Sequence, residues 1–252
     1  MRFGEYDYQQ VDQPGHPDAM DAVWNAHWCG RRGLKEDLTD ELLWPTIREH
    51  LNVRGRVLEA GCGTGQWVQF LGKLGHDVVG IDYASSGLEV GRAHNPGLRL
   101  IQADFRHLPF EDESFDYVVS FGAVEHDVDG PEKALREFHR VLRPSGTLMC
   151  SVPCLNLYRT LAYPWLMARK WLKCREVLRR LWGKKAPFVF YEYMWSPGEY
   201  RAILGGCGFH ILDVRGYGTV LKSPRVRACD LAIGRICPLS SAHMMMAICR
   251  KA

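Results

Sequence analysis

Between Leu34 and Leu51 the apolar residues Leu38, Leu42, Leu43, Ile47 and Leu51 recur at helical spacing, which predicts one amphipathic helix with a buried stripe. A second helical pattern runs from Asp18 to about Trp28, behind a polar arm that contains proline and glycine. Asn52-Val53-Arg54-Gly55 ends the Leu34–Leu51 pattern, and a regular alternation begins. Arg56–Glu59, Asp77–Ile81, Leu98–Ala103, Phe115–Ser120 and Thr147–Val152 read as strands, each a short apolar run. Between them Gln66–Leu74, Ser85–His94 and Pro131–Leu142 read as helices, the first stopped at Gly75 and the last opened by proline. Strands joined through helices need crossover connections, which predicts an α/β fold with a largely parallel sheet covered on both faces.

The rhythm breaks at Pro153. Residues 154–195 are aromatic and basic, with a strand only near Pro187–Tyr191; a helix from Pro197 to Gly205 and strands Phe209–Arg215 and His243–Arg250 then resume the pattern. We therefore divide the chain into an N-terminal helical arm, 1–52, and one domain, 53–252, with a helical lid inserted at 154–195. Residues 219–240 form a smaller excursion. Between 155 and 185 the insertion carries Arg159, Arg169, Lys170, Lys173, Arg175, Arg179, Arg180, Lys184 and Lys185 against one acid, Glu176, with Trp165, Leu166, Leu172 and Trp182 among them. Three readings compete: the solvated face of a lid, a basic amphipathic helix resting on an anionic membrane or receiving a lipid-linked substrate, or recognition of an anionic acceptor.

Composition narrows the class without choosing among enzymes. The 252 residues are 46% hydrophobic and 24% charged with a formal net charge of +3, which is ordinary for a globular domain and too small to argue for nucleic acid. The nine cysteines include no Cys-x-x-Cys pair, so no metal site is expected from their spacing and reduced thiols in a cytoplasmic protein are. The N-terminus lacks the apolar core of a secretory signal, and no run of about 18 apolar residues predicts a membrane span.

The stretch Val57-Leu58-Glu59-Ala60-Gly61-Cys62-Gly63-Thr64-Gly65 carries the chemistry. Glycines after a strand let the backbone turn sharply and let a ligand approach without meeting a Cβ. A dinucleotide fingerprint wants glycine at its sixth position, where this loop has Gln66. Glu59 at the strand end would repel a pyrophosphate by roughly 1 kcal/mol or more at short range. The same carboxylate attracts a cofactor bearing a sulfonium and an ammonium. Asp82 closes the next strand, placed to accept ribose hydroxyls. Asp104, followed by Phe105, closes the third and could accept an adenine amine.

With these residues the chain resembles the class I S-adenosylmethionine-dependent methyltransferases of the small-molecule type. The matching segments are Val57–Gly65, Val79–Asp82, Ala103–Phe105, Leu108-Pro109-Phe110, Ser114-Phe115-Asp116, Glu125-His126 and Glu137–Gly146, with Cys207-Gly208-Phe209 near the end. The resemblance implies a Rossmann-like, doubly wound sheet of seven strands whose last strand is antiparallel. It also implies S-adenosylmethionine as cofactor, with Glu59, Gly61 and Gly63 at its methionine end, Asp82 at the ribose, Asp104 and Phe105 at the adenine, Phe121 closing over it, and Cys62 and Tyr83 among the cofactor-binding residues. The chain departs from the family pattern at Ser145, where glycine is usual, and at Cys154.

Methyl transfer from a sulfonium chiefly requires alignment of donor and acceptor, with a base where the acceptor is a hydroxyl or protonated amine. His126, just after the fourth strand, is the candidate base; the alternative is that Glu125-His126 only braces its loop. Tyr158, Tyr191 and Tyr193 are candidates to line the acceptor pocket, and Trp24, Trp28 and Arg31 to close the cofactor site. The loop Ser120-Phe121-Gly122-Ala123 lacks the Asp/Asn-Pro-Pro-aromatic pattern of enzymes that methylate amino groups on DNA, so the expected acceptor is a small molecule and not a nucleic acid. The competing class is a non-catalytic module that keeps the cofactor fold to bind a membrane or protein partner.

Overall fold

The computed structural model describes residues 3–7, 24–28, 34–156, 159, 189–219, 239 and 242–252. In chain order these form β1 (Phe3–Asp7), α1 (24–28), α2 (Trp44–His50), β2 (Arg56–Ala60), α3 (Gln66–Lys73), β3 (Asp77–Asp82), α4 (Ser85–His94), β4 (Leu100–Gln102), β5 (Phe115–Phe121), α5 (Glu132–Val141), β6 (Leu142–Pro153), β7 (Val189–Met194), α6 (Pro197–Gly206), β8 (Phe209–Thr219) and β9 (Ala242–Lys251). A single 3-10 turn, Val124–His126, follows β5.

Seven strands make one sheet in the order β4-β3-β2-β5-β6-β9-β8. The pairs β2–β3, β2–β5, β3–β4 and β5–β6 are parallel, whereas β9 runs antiparallel to both β6 and β8. The expected topology, with an antiparallel last strand, is the one found. The chain leaves β2 toward one edge through β3 and β4, then returns to lay β5 on the other side of β2. That reversal opens a crevice at the carboxyl tips of β2 and β5, where sheets of this kind bind ligands.

Alternate strand residues feed two cores, as the two-residue period requires. Leu58 and Ala60 of β2 pack with Leu135 and Phe138 of α5 and with Tyr200 and Leu204 of α6. Val57 joins Val68 and Leu71 of α3, Leu88 of α4 and Ile47 of α2 on the opposite face. A reciprocal capping box starts α6, with Ser196 Oγ accepting the Glu199 N–H and the Glu199 carboxylate accepting the Ser196 N–H at 3.0 Å.

Four elements depart from the sequence expectation. The helix expected over Leu34–Leu51 is confined to Trp44–His50. Pro45 sits comfortably only in a first turn, and the Asp37 carboxylate accepts the Thr39 N–H at 2.9 Å, which ties the preceding residues into turns. Leu38 is still buried, but Leu42 is exposed. The polar arm contains β1, which pairs antiparallel with β7 as a separate two-stranded sheet. Such a pairing, between segments far apart in the chain, leaves no local periodic signal. The strand expected from Leu98 begins at Leu100, because Asn95 organises a turn by accepting N–H groups from Gly97 and Leu98. Finally, β6 starts at Leu142, with Ser145 at φ 60°, the left-handed region where the family's usual glycine sits without strain.

The lid expected over 154–195 lies outside the described residues except at 154–156, 159 and 189–195. Arg159, one of its basic residues, donates to the carbonyls of Cys154 and His243 and so faces the end of the main sheet. No helix among the described residues is long and apolar enough to cross a membrane.

Candidate cofactor and acceptor site

The glycine loop leaves the tip of β2 and is held by its neighbour strand: the Gly61 and Cys62 N–H groups both donate to the Ile81 carbonyl at 2.9 Å. Gly61 has φ 79°, and a Cβ there would overlap the Ala123 side chain beyond β5. This glycine therefore lets the tips of β2 and β5 close together at the switch point. Gly63 has φ 53°, and a Cβ there would stand 2.5 Å from the Trp28 ring, which also touches Gly87. The indole of α1 thus covers the loop, and it occupies space at the end assigned above to the methionine part of a cofactor. Cys62 turns the other way. Its thiol is buried against Gly80, and burial together with the Glu59 and Asp82 charges pushes its pKa well up. Only the backbone of Cys62 is available to a ligand.

The three acids lie along neighbouring strands but differ in condition. Glu59 is buried with Oε2 lacking any hydrogen-bond partner, and burial, with Asp82 nearby, raises its carboxyl well above the ordinary range. Asp82 accepts the Gly63 N–H on Oδ2 at 2.7 Å and the Ala84 N–H on Oδ1 at 2.9 Å. Burial raises its pKa against these bonds and the neighbouring Tyr83 N–H. Each of its oxygens keeps a further lone pair. Asp104 instead faces Arg106: Nε lies 3.0 Å from both oxygens, Nη2 2.8 Å from Oδ2, and the Arg106 N–H 2.8 Å from Oδ1. That pairing outweighs partial burial and holds Asp104 below the usual carboxylate range. An amine offered to Asp104 competes with a guanidinium already seated there.

Around this row, Phe105 packs on the core and Tyr83 is exposed, with its carbonyl accepting from Gln102 at 3.0 Å. Phe121 ends β5 edge-on to Trp67 of α3, ring centroids 5.5 Å apart. The loop after Asp104 is clamped from α5. The Glu137 carboxylate accepts the Leu108 N–H, and Arg140 donates to the carbonyls of Leu108 and Phe110. Two motifs read separately in the sequence are therefore one device. Surface depressions bordered by Trp44 and Arg48, and by His76 and Arg99, lie away from these tips.

Beyond β5, His126 meets the Trp24 ring edge-on at 4.6 Å. Glu125 is 1% exposed, and burial, with the Glu192 charge added, pushes its carboxyl well above the usual range. Tyr193 donates its hydroxyl to the Val128 carbonyl at 2.8 Å, fastening β7 onto this loop. Tyr191 is placed only as a backbone position on β7, and Tyr158 and Arg31 lie outside the described residues. Sequence reasoning missed Glu192, which a strand far along the chain delivers beside Glu125 and His126. It also missed Arg106 as the occupant of Asp104, although an aspartate two residues before an arginine is a visible cue.

The residues fit an adenosyl cofactor carrying positive charge. A buried carboxylate with one oxygen lacking a hydrogen-bond partner lies beside a second carboxylate with free lone pairs, next to a loop whose glycines have room for no Cβ. A family model described as a methyltransferase domain matches residues 58–150. A demethylmenaquinone methyltransferase of Staphylococcus saprophyticus is 36% identical over 192 residues, covering 68% of this chain and 78% of that one. Its counterpart in Staphylococcus haemolyticus is 39% identical over 120 residues, so the match spans 49% of that relative's length. A solved S-adenosylmethionine-dependent methyltransferase from Methanosarcina mazei shares the fold, with TM-score 0.60 at 20% identity over 83% of this chain and 98% of that one. Sheet order, glycine loop and these likenesses agree: the chain belongs to the class I S-adenosylmethionine-dependent methyltransferases.

Proposed function

We propose that this chain methylates a small, lipid-linked acceptor whose reacting atom sits between the 121–128 loop and β7. The observation that carries the reading is the buried Glu59, held by the Val68 backbone but with Oε2 lacking a hydrogen-bond partner, beside Asp82. Such a pair is costly to keep charged in a dry site and is relieved by a cationic ligand. S-adenosylmethionine, when bound, supplies an electrophilic methyl group on a sulfonium. The protein's own part is positioning. Glu59 and the Gly61–Gly63 backbone would take the methionine end, Asp82 the ribose, and Phe105 and Phe121 the apolar surfaces, while Trp28 shields the loop from water.

His126 is the group we assign to take a proton from the acceptor, with Trp24 fixing its ring. Tyr193 shapes the wall opposite. The relatives named for demethylmenaquinone support a lipid-linked acceptor, as does the basic, aromatic composition of 155–185. A cytoplasmic setting belongs to the same reading. Calorimetric titration with S-adenosylmethionine and its demethylated product should give binding in the micromolar range, and labelled methyl should pass into an extracted lipid-quinol fraction. A folded chain that binds neither compound would end the proposal; binding with label passing only to water-soluble acceptors would end its lipid-linked part.

A further inference from the structure

Glu125, His126 and Glu192 each offer one ligand atom, and the three atoms lie within 4.8 Å of one another. The first two come from the turn after β5, the third from β7, and the Tyr193–Val128 hydrogen bond holds the two elements together. A second observation singles out this trio. Glu125 is 1% exposed, yet its Oε2 has no hydrogen-bond partner. A carboxyl oxygen so deeply buried and unpartnered is costly to keep charged unless a proton or a cation meets it.

We propose that Glu125, His126 and Glu192 form a site for a divalent transition-metal ion, with coordination positions left open toward the acceptor. One imidazole and two carboxylates suit manganese, iron or zinc better than magnesium or calcium, which prefer oxygen alone. Two ligands at about 2.1 Å from a metal can stand no more than about 4.2 Å apart. The 4.8 Å span must therefore close by at least about 0.6 Å, and by more for ligands that are not on opposite sides of the ion. His126 and Glu192, both partly exposed, are the side chains whose rotamers would shift to close it. A three-ligand site keeps room for a further oxygen. An acceptor hydroxyl bound there would lose its proton to water more readily, a route that replaces the one assigned above to His126, because a ring nitrogen bound to the ion has no lone pair left to act as base. This role rests on the methyltransferase reading; the metal site itself does not. The cysteine spacings gave no hint of it, because the third ligand arrives from a distant strand.

The test is manganese(II) titrated into the full chain without cofactor, with the free aquo-ion followed by electron paramagnetic resonance. One saturable ion per chain is expected, with affinity falling roughly 10-fold or more in Glu192→Gln and in His126→Ala and unchanged in His94→Ala on the exposed face of α4. Absence of saturable binding, or equal binding by Glu192→Gln, would overturn the site. If either variant fails to fold, paramagnetic broadening in the wild-type spectrum decides: loss of the His126 and Glu192 amide signals supports the site, and broadening centred elsewhere rejects it. Cofactor titration on the same preparation separates the two proposals. Binding of S-adenosylmethionine without manganese removes only the metal site, and manganese binding in a chain that ignores the cofactor removes only the methyltransferase reading.

Discussion

Asp82→Asn changes one oxygen for an amide group and leaves the volume alone. In the native loop Oδ2 takes the Gly63 N–H at 2.7 Å and Oδ1 takes the Ala84 N–H at 2.9 Å. Hydrogen bonds to a charged acceptor contribute about 1.5–3 kcal/mol each. An asparagine can accept only one of them, and its amide then meets the other N–H donor to donor. Against that loss stands relief from burying a carboxylate whose pKa is already raised by desolvation. The net cost to the fold is therefore about 1–2 kcal/mol, a fall in Tm of roughly 2–8 °C for a chain of this size. Cofactor binding loses more specifically, because the lone pairs left for two ribose hydroxyls belong to a carboxylate. Loss of about 1–3 kcal/mol of charge-assisted bonding weakens Kd about 5- to 150-fold. Calorimetry with S-adenosylmethionine and with its demethylated product should show the same factor for both, since both carry the ribose. A variant with lowered Tm but Kd within about twofold of wild type would show that Asp82 serves the loop alone, and the ribose assignment would fail.

Glu59→Gln should separate stability from binding. The buried Glu59 carboxyl is raised above its unfolded value of about 4.3. Its share of stability is thus present below that value and is lost as pH rises through the folded pKa. The variant should melt higher than wild type at pH 8 and lose that advantage near pH 4, while binding S-adenosylmethionine more weakly; equal melting curves at both pH values would contradict the burial argument. Cofactor affinity of the wild type should itself decline as pH falls through the raised range of Glu59 and Asp82, measurable by titration at successively lower pH. Gly61→Ala combines a left-handed φ of 79° with overlap on Ala123. It should cost about 2–5 kcal/mol in denaturant unfolding, and Ala123→Gly in the same chain should recover only the steric part. Trp28→Ala uncovers Gly63, so the stopped-flow association rate of cofactor should rise several-fold; an unchanged rate would mean that α1 already stands clear in solution.

The central alternation was legible because each of its signals is local. The apolar runs of β2, β3 and β5 and the helices between them carry their own periods, and the glycine loop sits between β2 and α3. Connection handedness and crossover rules then leave little choice of sheet. Glu59 and Asp82 could be placed for the same reason: a residue at a strand's carboxyl end lies at the binding edge whatever the packing details. The stretch before Trp44 failed because Leu38 and Leu42 matched a helical period that the Asp37 turn and Pro45 override.

What a chain spells in its order is which segments become strands or helices, and which side chains end up at the tips. Whether a given tip side chain is available depends on what reaches it through space. Arg106 occupies Asp104, Trp28 lies over Gly63, and β7 brings Glu192 to His126. None of these pairings has a periodic or compositional trace. They arise from long-range contacts whose energies decide among locally equivalent conformations, and only the assembled fold holds that information.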